Sequence, residues 1–326
     1  MKALFIGGTG IISSACTSRA LEKGIDLYHL NRGKSDIHST IPEANKIIVD
    51  IRNKELASKV LKNHTFDVVV DWISFLPSQL QSNLELFKGK TNQYLFISSA
   101  SAYQTPPLSL PVTENTPLHN PYWQYSRDKI ACEELLKKDA KKFGMNYTIV
   151  RPSHTYNKTL IPMFGEYTTL HRIIKGLPVI VHGDGTSIWT LTHNTDFAKG
   201  LVGILNNSKA FNEIFHITSD EWITWNRIYQ LFGMAVGKEP KLIPIPSSII
   251  AKYDSEIGDG LLGDKCHSMI FDNTKIKSVV PEFNCEIKFE QGAKEIAAWY
   301  NQNPDKQIVD EKLNKMFDKI IEDYVH

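Results

Sequence analysis

Tyr125 and Lys129 stand four residues apart in the segment Tyr125-Ser126-Arg127-Asp128-Lys129. On a helix that spacing puts both side chains on one face. An ammonium beside a phenol favours the tyrosinate and draws its pKa down from about 10. Tyr125 then becomes a general acid or base for a substrate hydroxyl near neutral pH. Ser99 follows the apolar run Gln93–Ser98, and its hydroxyl can donate to the same substrate oxygen. A Tyr-x-x-x-Lys match alone arises easily by chance, and the same spacing occurs on a plain exposed helix face. The order along the chain gives it weight: a glycine loop, a serine-ended strand, then Tyr and Lys on the next helix.

That glycine loop is Gly7-Gly8-Thr9-Gly10-Ile11-Ile12-Ser13. It follows the apolar run Ala3–Ile6 and opens a helix. Glycines there let the backbone turn sharply and approach a pyrophosphate, and the helix N-terminus presents free N–H groups to it. Gly7, Thr9, Gly10, Ile11 and Ile12 are therefore candidate cofactor residues. The second strand ends in Asn31-Arg32-Gly33-Lys34. An acid there would bind the ribose 2′-OH of NAD; Arg32 and Lys34 suit the 2′-phosphate of NADP instead, with Asn31 a further cofactor candidate beside them. NADP is thus preferred over NAD, against the plain reading of Arg32 and Lys34 as solvated charges. Asp50, with Ile51 beside it, ends the third strand and can reach the adenine edge. A helix N-cap is the competing role for Asp50.

These residues need a scaffold, and the pattern supplies one. Strands are expected at Ala3–Ile6, Asp26–Leu30, Lys46–Val49, Asp67–Asp71, Gln93–Ser98 and Asn146–Val150. Helices are expected at Ile12–Lys23, Lys54–Lys62, Ser78–Phe87 and Trp123–Phe143. Apolar strands alternating with helices imply a parallel sheet covered on both faces, an α/β Rossmann-type doubly wound domain. Residues 1–155 form it, with 193–219 returning to it. Residues 156–192 and 220–326 form a smaller mixed substrate domain. Its tail, Asp310–Tyr324, carries apolar residues at helical spacing and reads as a packing helix.

The 326 residues carry 37 basic and 36 acidic side chains, a formal charge of +1. That balance disfavours nucleic acid as the main partner. The four cysteines, Cys16, Cys132, Cys266 and Cys285, lie far apart and suggest neither a disulfide framework nor a metal site. No stretch is long and apolar enough for a signal peptide or a membrane span, so a cytoplasmic protein is expected.

Taken together, Gly7–Ser13, Asp50, Phe96–Tyr103, Tyr125–Lys129, Val150–Tyr156, His182–Gly185 and Asp272–Lys275 resemble the extended short-chain dehydrogenase/reductase superfamily, in its NAD(P)-dependent epimerase/dehydratase group. The resemblance covers roughly residues 1–300. It implies that Tyr125 transfers the proton, while Lys129 tunes it and holds the nicotinamide ribose. Ser99 takes the serine/threonine position, with Ser98 beside the cofactor. Pro152 and His154 would line nicotinamide and substrate, and Ser101 and Trp189 would meet the substrate. A homodimer through the helices carrying Tyr and Lys is implied as well.

The pattern breaks in places. Ser13 stands where a third glycine is usual. Trp189 and Leu261 occupy positions where nucleotide-sugar members carry arginines for the substrate diphosphate. Trp72 and Phe75 should reshape the cofactor pocket. His154 replaces a common asparagine, and its plainest reading is a hydrogen-bonded buried histidine. Trp189, Trp222 and Trp225 are either a sugar-stacking wall or core.

The expected function is hydride transfer on a hydroxyl or carbonyl of a sugar-like small molecule or sugar nucleotide, with net oxidation, reduction or epimerisation. Dehydration ranks lower, since no Asp-Glu pair sits beside Ser99. The alternative is an NADP(H)-sensing or RNA-binding protein on the same fold; the glycine loop and Asn31-Arg32-Gly33 resemble chloroplast stem-loop RNA-binding proteins.

Overall fold

The computed structural model describes residues 1–33 and 44–325. Its centre is a seven-stranded parallel sheet. The first six strands in chain order are β1 (Lys2–Ile6), β2 (Asp26–Asn31), β3 (Asn45–Ile48), β4 (Phe66–Asp71), β5 (Thr91–Ile97) and β6 (Asn146–Pro152). Glu213–Ile217 adds the last strand beside β6. Across the sheet the order is Glu213–Ile217, β6, β5, β4, β1, β2, β3. The order reverses between β1 and β4, and a crevice for ligands opens at such a switch point, outside the carboxyl ends of the strands.

The strands are continuously apolar because both sheet faces are covered. Ala3 and Phe5 of β1 enter one core, with Val68, Leu95, Phe197 and Phe215. Leu4 and Ile6 point the other way, to Val69, Leu80, Phe96 and Leu136. Helix α1 (Ile11–Glu22) and Asn194–Gly203 cover the first face. Helices α2 (Lys54–Val60), α3 (Pro77–Phe87) and α4 (Gln124–Phe143) cover the second. This is the doubly wound architecture expected from the sequence. Strand β5 stops at Ile97, earlier than expected, so Ser98 and Ser99 lie in the turn after it.

A separate apolar cluster gathers Tyr156, Val179, Val181, Trp189, Trp225, Phe232 and Phe289. Pro178–His182 pairs in parallel with Lys241–Ile245 beside it. The terminal helix Glu311–Val325 turns Phe317 and Ile320 onto Phe164, Ile180 and Ile245. Trp189, Met269 and Phe271 of the separate cluster line the far side of the crevice.

Candidate active site

A cavity of about 560 Å³ opens at the sheet's switch point. One end is the glycine turn: Gly7, Gly10, Ile11, Ile12 and Ser13 line it. Gly7 has φ +85°, and a Cβ there would run into Ile73. A Cβ on Gly8 would lie 2.7 Å from the His29 ring. The first N–H groups of α1 have no intrahelical partner, and no acid stands in its first turn. Ser13 compensates for the missing third glycine: its Oγ accepts from the Gly10 N–H at 2.8 Å and binds the loop to the helix. A crowded turn without side chains, facing an uncapped helix N-terminus, fits the pyrophosphate of a dinucleotide.

Thr9, Asn31, Arg32, Asp50 and Ile51 do not line the cavity. Asn31 Oδ1 accepts from the Gly33 N–H at 2.9 Å. Arg32 is exposed. Asp50 accepts from the Arg52 N–H at 3.0 Å, and the N-cap of α2 is Asn53, so the helix-cap alternative for Asp50 does not hold. Ile51 is packed in the core and offers a ligand only backbone. Lys34 lies outside the described residues.

Helix α4 carries the other end. Tyr125 and Lys129 share a face, as the spacing predicted, and both line the cavity. Lys129 is buried, its Nζ donating to the carbonyls of Ser74 (2.8 Å) and Ile97 (2.9 Å). Burial pulls its pKa down from 10.5 to about 8, against the opposing pull of Asp71, Cys132 and Glu133. The expected lowering of the Tyr125 pKa is not found. Burial raises it, a hydrogen bond with Ser99 lowers it in part, and the Asp264 charge raises it further. The ammonium is held by two carbonyls, 5.8 Å from the Tyr125 ring centre. Tyr125 therefore keeps its proton at neutral pH.

Ser99 faces the cavity and is bonded to Ser101 at 2.8 Å between hydroxyls. Ser126 donates to Ser101 at 2.8 Å. A chain of three hydroxyls thus runs from Ser126 through Ser101 to Ser99, which lies beside the Tyr125 phenol and lowers its pKa. Ser101 is buried, with its hydroxyl committed to this chain. Ser98 lines the cavity, yet its hydroxyl donates to Glu133 at 2.6 Å.

Pro152, His154, Trp189, Asp264 and Lys265 line the far wall; Trp72 and Phe75 line the cavity too, Phe75 with its ring centre 6.4 Å from that of Tyr125. Phe75 lies 4.7 Å from Lys129 Nζ, ring centre to nitrogen. His154 is not the hydrogen-bonded histidine of the plain reading: its Nε2 is buried without a partner. Burial holds it neutral, with its pKa near 3, and the nearby Lys265 charge pushes the same way. Trp189 is 3% exposed with an unpartnered Nε1, packed on Trp225 at 5.5 Å between rings. Trp225 is core, and Trp222 is 53% exposed.

Asp264 is the carboxyl that the sequence did not place near Ser99. Sequence reasoning also passed over Asn120, Ser126, Glu133 and Lys265. Glu133 had a signal, since it continues the 125–129 stripe by one more step of four. Asp264 and Lys265 had none, because only folding brings their turn to α4. Among the described residues no group of three His, Cys, Asp or Glu comes together to hold a metal.

The NAD dependent epimerase/dehydratase family model matches residues 3–218. The chain belongs to that family. Among relatives, the chloroplast stem-loop binding protein of 41 kDa b of Arabidopsis thaliana is 28% identical over 74% of this chain and 65% of its own. The UDP-glucose 4-epimerase of Lactobacillus helveticus is 27% identical over 57% of this chain and 62% of its own. The chain thus spans slightly under two thirds of both relatives. The crystal structure of a UDP-glucose 4-epimerase with UDP-glucose from Thermotoga maritima superposes with a TM-score of 0.74 at 20% identity, covering 93% of this chain and all of that one (100%). At that identity the likeness shows the fold.

Proposed function

We propose that this family member is an oxidoreductase acting on a carbonyl or hydroxyl of a sugar-like small molecule, with Tyr125 as its proton-transfer residue. One observation carries the reading. Tyr125, Ser99 and Lys129 line the same cavity as the glycine turn. A nicotinamide dinucleotide bound along Gly7–Ser13 would supply or accept the hydride at the substrate carbon. Tyr125 holds a proton and gives it to the carbonyl oxygen as that carbon is reduced. Ser99 donates to the same oxygen and stabilises the charge that develops there. Ser101 and Ser126 keep the Ser99 hydroxyl oriented. Lys129, with its Nζ 5.8 Å from the Tyr125 ring centre, would hold the nicotinamide ribose. In the reverse direction Tyr125 must first lose its proton, so a protonated phenol favours reduction near neutral pH.

We read the cofactor as NADP, because no acid ends β2 and Arg32 is exposed there. The chain is read as a cytoplasmic homodimer joined through α3 and α4, which lie side by side on the outer face of the sheet. Among the described residues no helix is long and apolar enough to cross a membrane.

The test is to identify the dinucleotide that co-purifies and then compare wild type with Tyr125→Phe on carbonyl substrates. Loss of roughly 100-fold or more in kcat with unchanged cofactor affinity supports the assignment. An unchanged rate removes it. Tighter binding of NAD than of NADP would overturn the reading of Arg32. The likeness to a stem-loop binding protein supports one rival, RNA binding. It predicts RNA affinity that falls steeply with salt.

A further inference from the structure

The far wall of the cavity is more deliberately built than packing requires. Leu261–Lys265 forms a single π-type turn, a feature often found at functional sites. Three side chains converge on the Lys265 carbonyl: Trp225 Nε1 at 3.0 Å, His182 Nε2 at 3.1 Å and Ser187 Oγ at 3.3 Å. Asn120 donates to the Gly263 carbonyl at 2.6 Å. Its Oδ1 accepts from the N–H groups of Tyr122 and Trp123, just before α4. A Cβ on Gly263 would lie 2.7 Å from that of Trp123. The turn is therefore locked to the helix that carries Tyr125, and it presents Asp264 and Lys265 to the cavity.

The charges on this wall cancel. Asp264 and Lys265 are 3.5 Å apart and about one-fifth exposed, at 16% and 21%. Among the described lining residues the other cation is Lys129, whose ammonium already serves two carbonyls. A diphosphate placed here would bring charge with no uncommitted cation to meet it, at a large desolvation cost. What the wall does offer is a carboxylate that accepts, an ammonium that donates, and two neutral ring nitrogens without partners, on His154 and Trp189.

We infer that Asp264 and Lys265 are specificity-determining residues that bracket adjacent hydroxyls of an uncharged polyol or its ketone, and that the site rejects nucleoside diphosphates. The inference rests on the cavity being the active site. Asp264 accepts from one hydroxyl while Lys265 donates to its neighbour. His154 and Trp189 take up the remaining oxygens from the apolar side. Hydroxyl-rich ligands without charge leave none of these groups unpaired, which is the condition for strong selection.

The experiment uses the full chain saturated with its dinucleotide. UDP is titrated by calorimetry, and a panel of free polyols and ketoses is screened for turnover. UDP should give no binding tighter than ~1 mM. A polyol or ketose should turn over, with Asp264→Asn and Lys265→Gln each raising its KM about tenfold or more while kcat stays within about threefold. UDP binding below ~100 μM, an inactive panel, or a KM unchanged in both variants overturns the inference. Folding of the variants is checked by their cofactor affinity, which should match wild type. A polyol rate that survives Tyr125→Phe sinks the proton-transfer assignment instead and leaves the specificity result standing.

Discussion

Glu133 and Arg151 form a doubly bonded ion pair sealed from solvent, with Nε to Oε1 at 2.9 Å and Nη2 to Oε2 at 2.6 Å. The two side chains are 0% and 2% exposed. Glu133 lies on the same α4 stripe as Tyr125 and Lys129. Arg151 lies on β6, immediately before Pro152 and one turn of chain before His154. The pair therefore fixes the helix that carries Tyr125 against the strand that leads into the far wall. Glu133 also takes the Ser98 hydroxyl, and the Arg151 guanidinium stacks over Tyr103 at 4.6 Å.

Removing one partner leaves a buried charge alone. Arg151→Met should destabilise the protein by about 3–5 kcal/mol. Adding Glu133→Gln to that variant should recover part of the loss, because the stranded charge is gone. Denaturant unfolding of both single variants and the double variant measures the cycle. Additive losses would show that the two side chains do not work as a pair.

Lys129 makes stability depend on pH in a defined direction. Its folded pKa is about 8, against an ordinary value of 10.5. Between those values the unfolded chain holds a proton that the folded chain has released, so stability rises with pH across that window. Below it the buried ammonium is a constant cost. Unfolding free energies of wild type and Lys129→Met should diverge in favour of wild type as pH climbs above 8. Parallel curves would mean that the lysine is not held back by burial.

The hydroxyl chain separates touching from orienting. Ser99→Ala should lower kcat by about 100-fold, the usual loss when a donor to a developing oxyanion is removed. Ser126→Ala removes only the far end of the chain, so its loss should stay under about tenfold, near the worth of one hydrogen bond. Steady-state kinetics on a carbonyl substrate measures both. Equal losses would place Ser126 in direct contact with the reaction.

The glycine turn gives a test of the cofactor end that does not depend on substrate. Gly7 combines a positive φ with a neighbour, Ile73, where a Cβ would go. Gly7→Ala should weaken dinucleotide binding by about fivefold or more, since strained backbone of this kind costs roughly 1–3 kcal/mol. Fluorescence titration with NADP and with NAD reads it. Affinity unchanged by the substitution would move the pyrophosphate elsewhere.

The amino-acid sequence by itself determined the sheet, the glycine turn and the shared face of Tyr125 and Lys129. Each of these is a matter of local period: apolar runs that must be buried on both sides, glycines before a helix, and a step of four. Tertiary structure decided what the site can hold. Asn120 and Gly263, 143 positions apart, meet only after folding, and their contact carries Asp264 and Lys265 into the cavity. The same enclosure set the protonation of Tyr125. Spacing predicted a phenol made acidic by lysine; folding instead gave the ammonium to two carbonyls and buried the phenol. Desolvation depends on everything that covers a group, and no spacing rule along the chain contains that information.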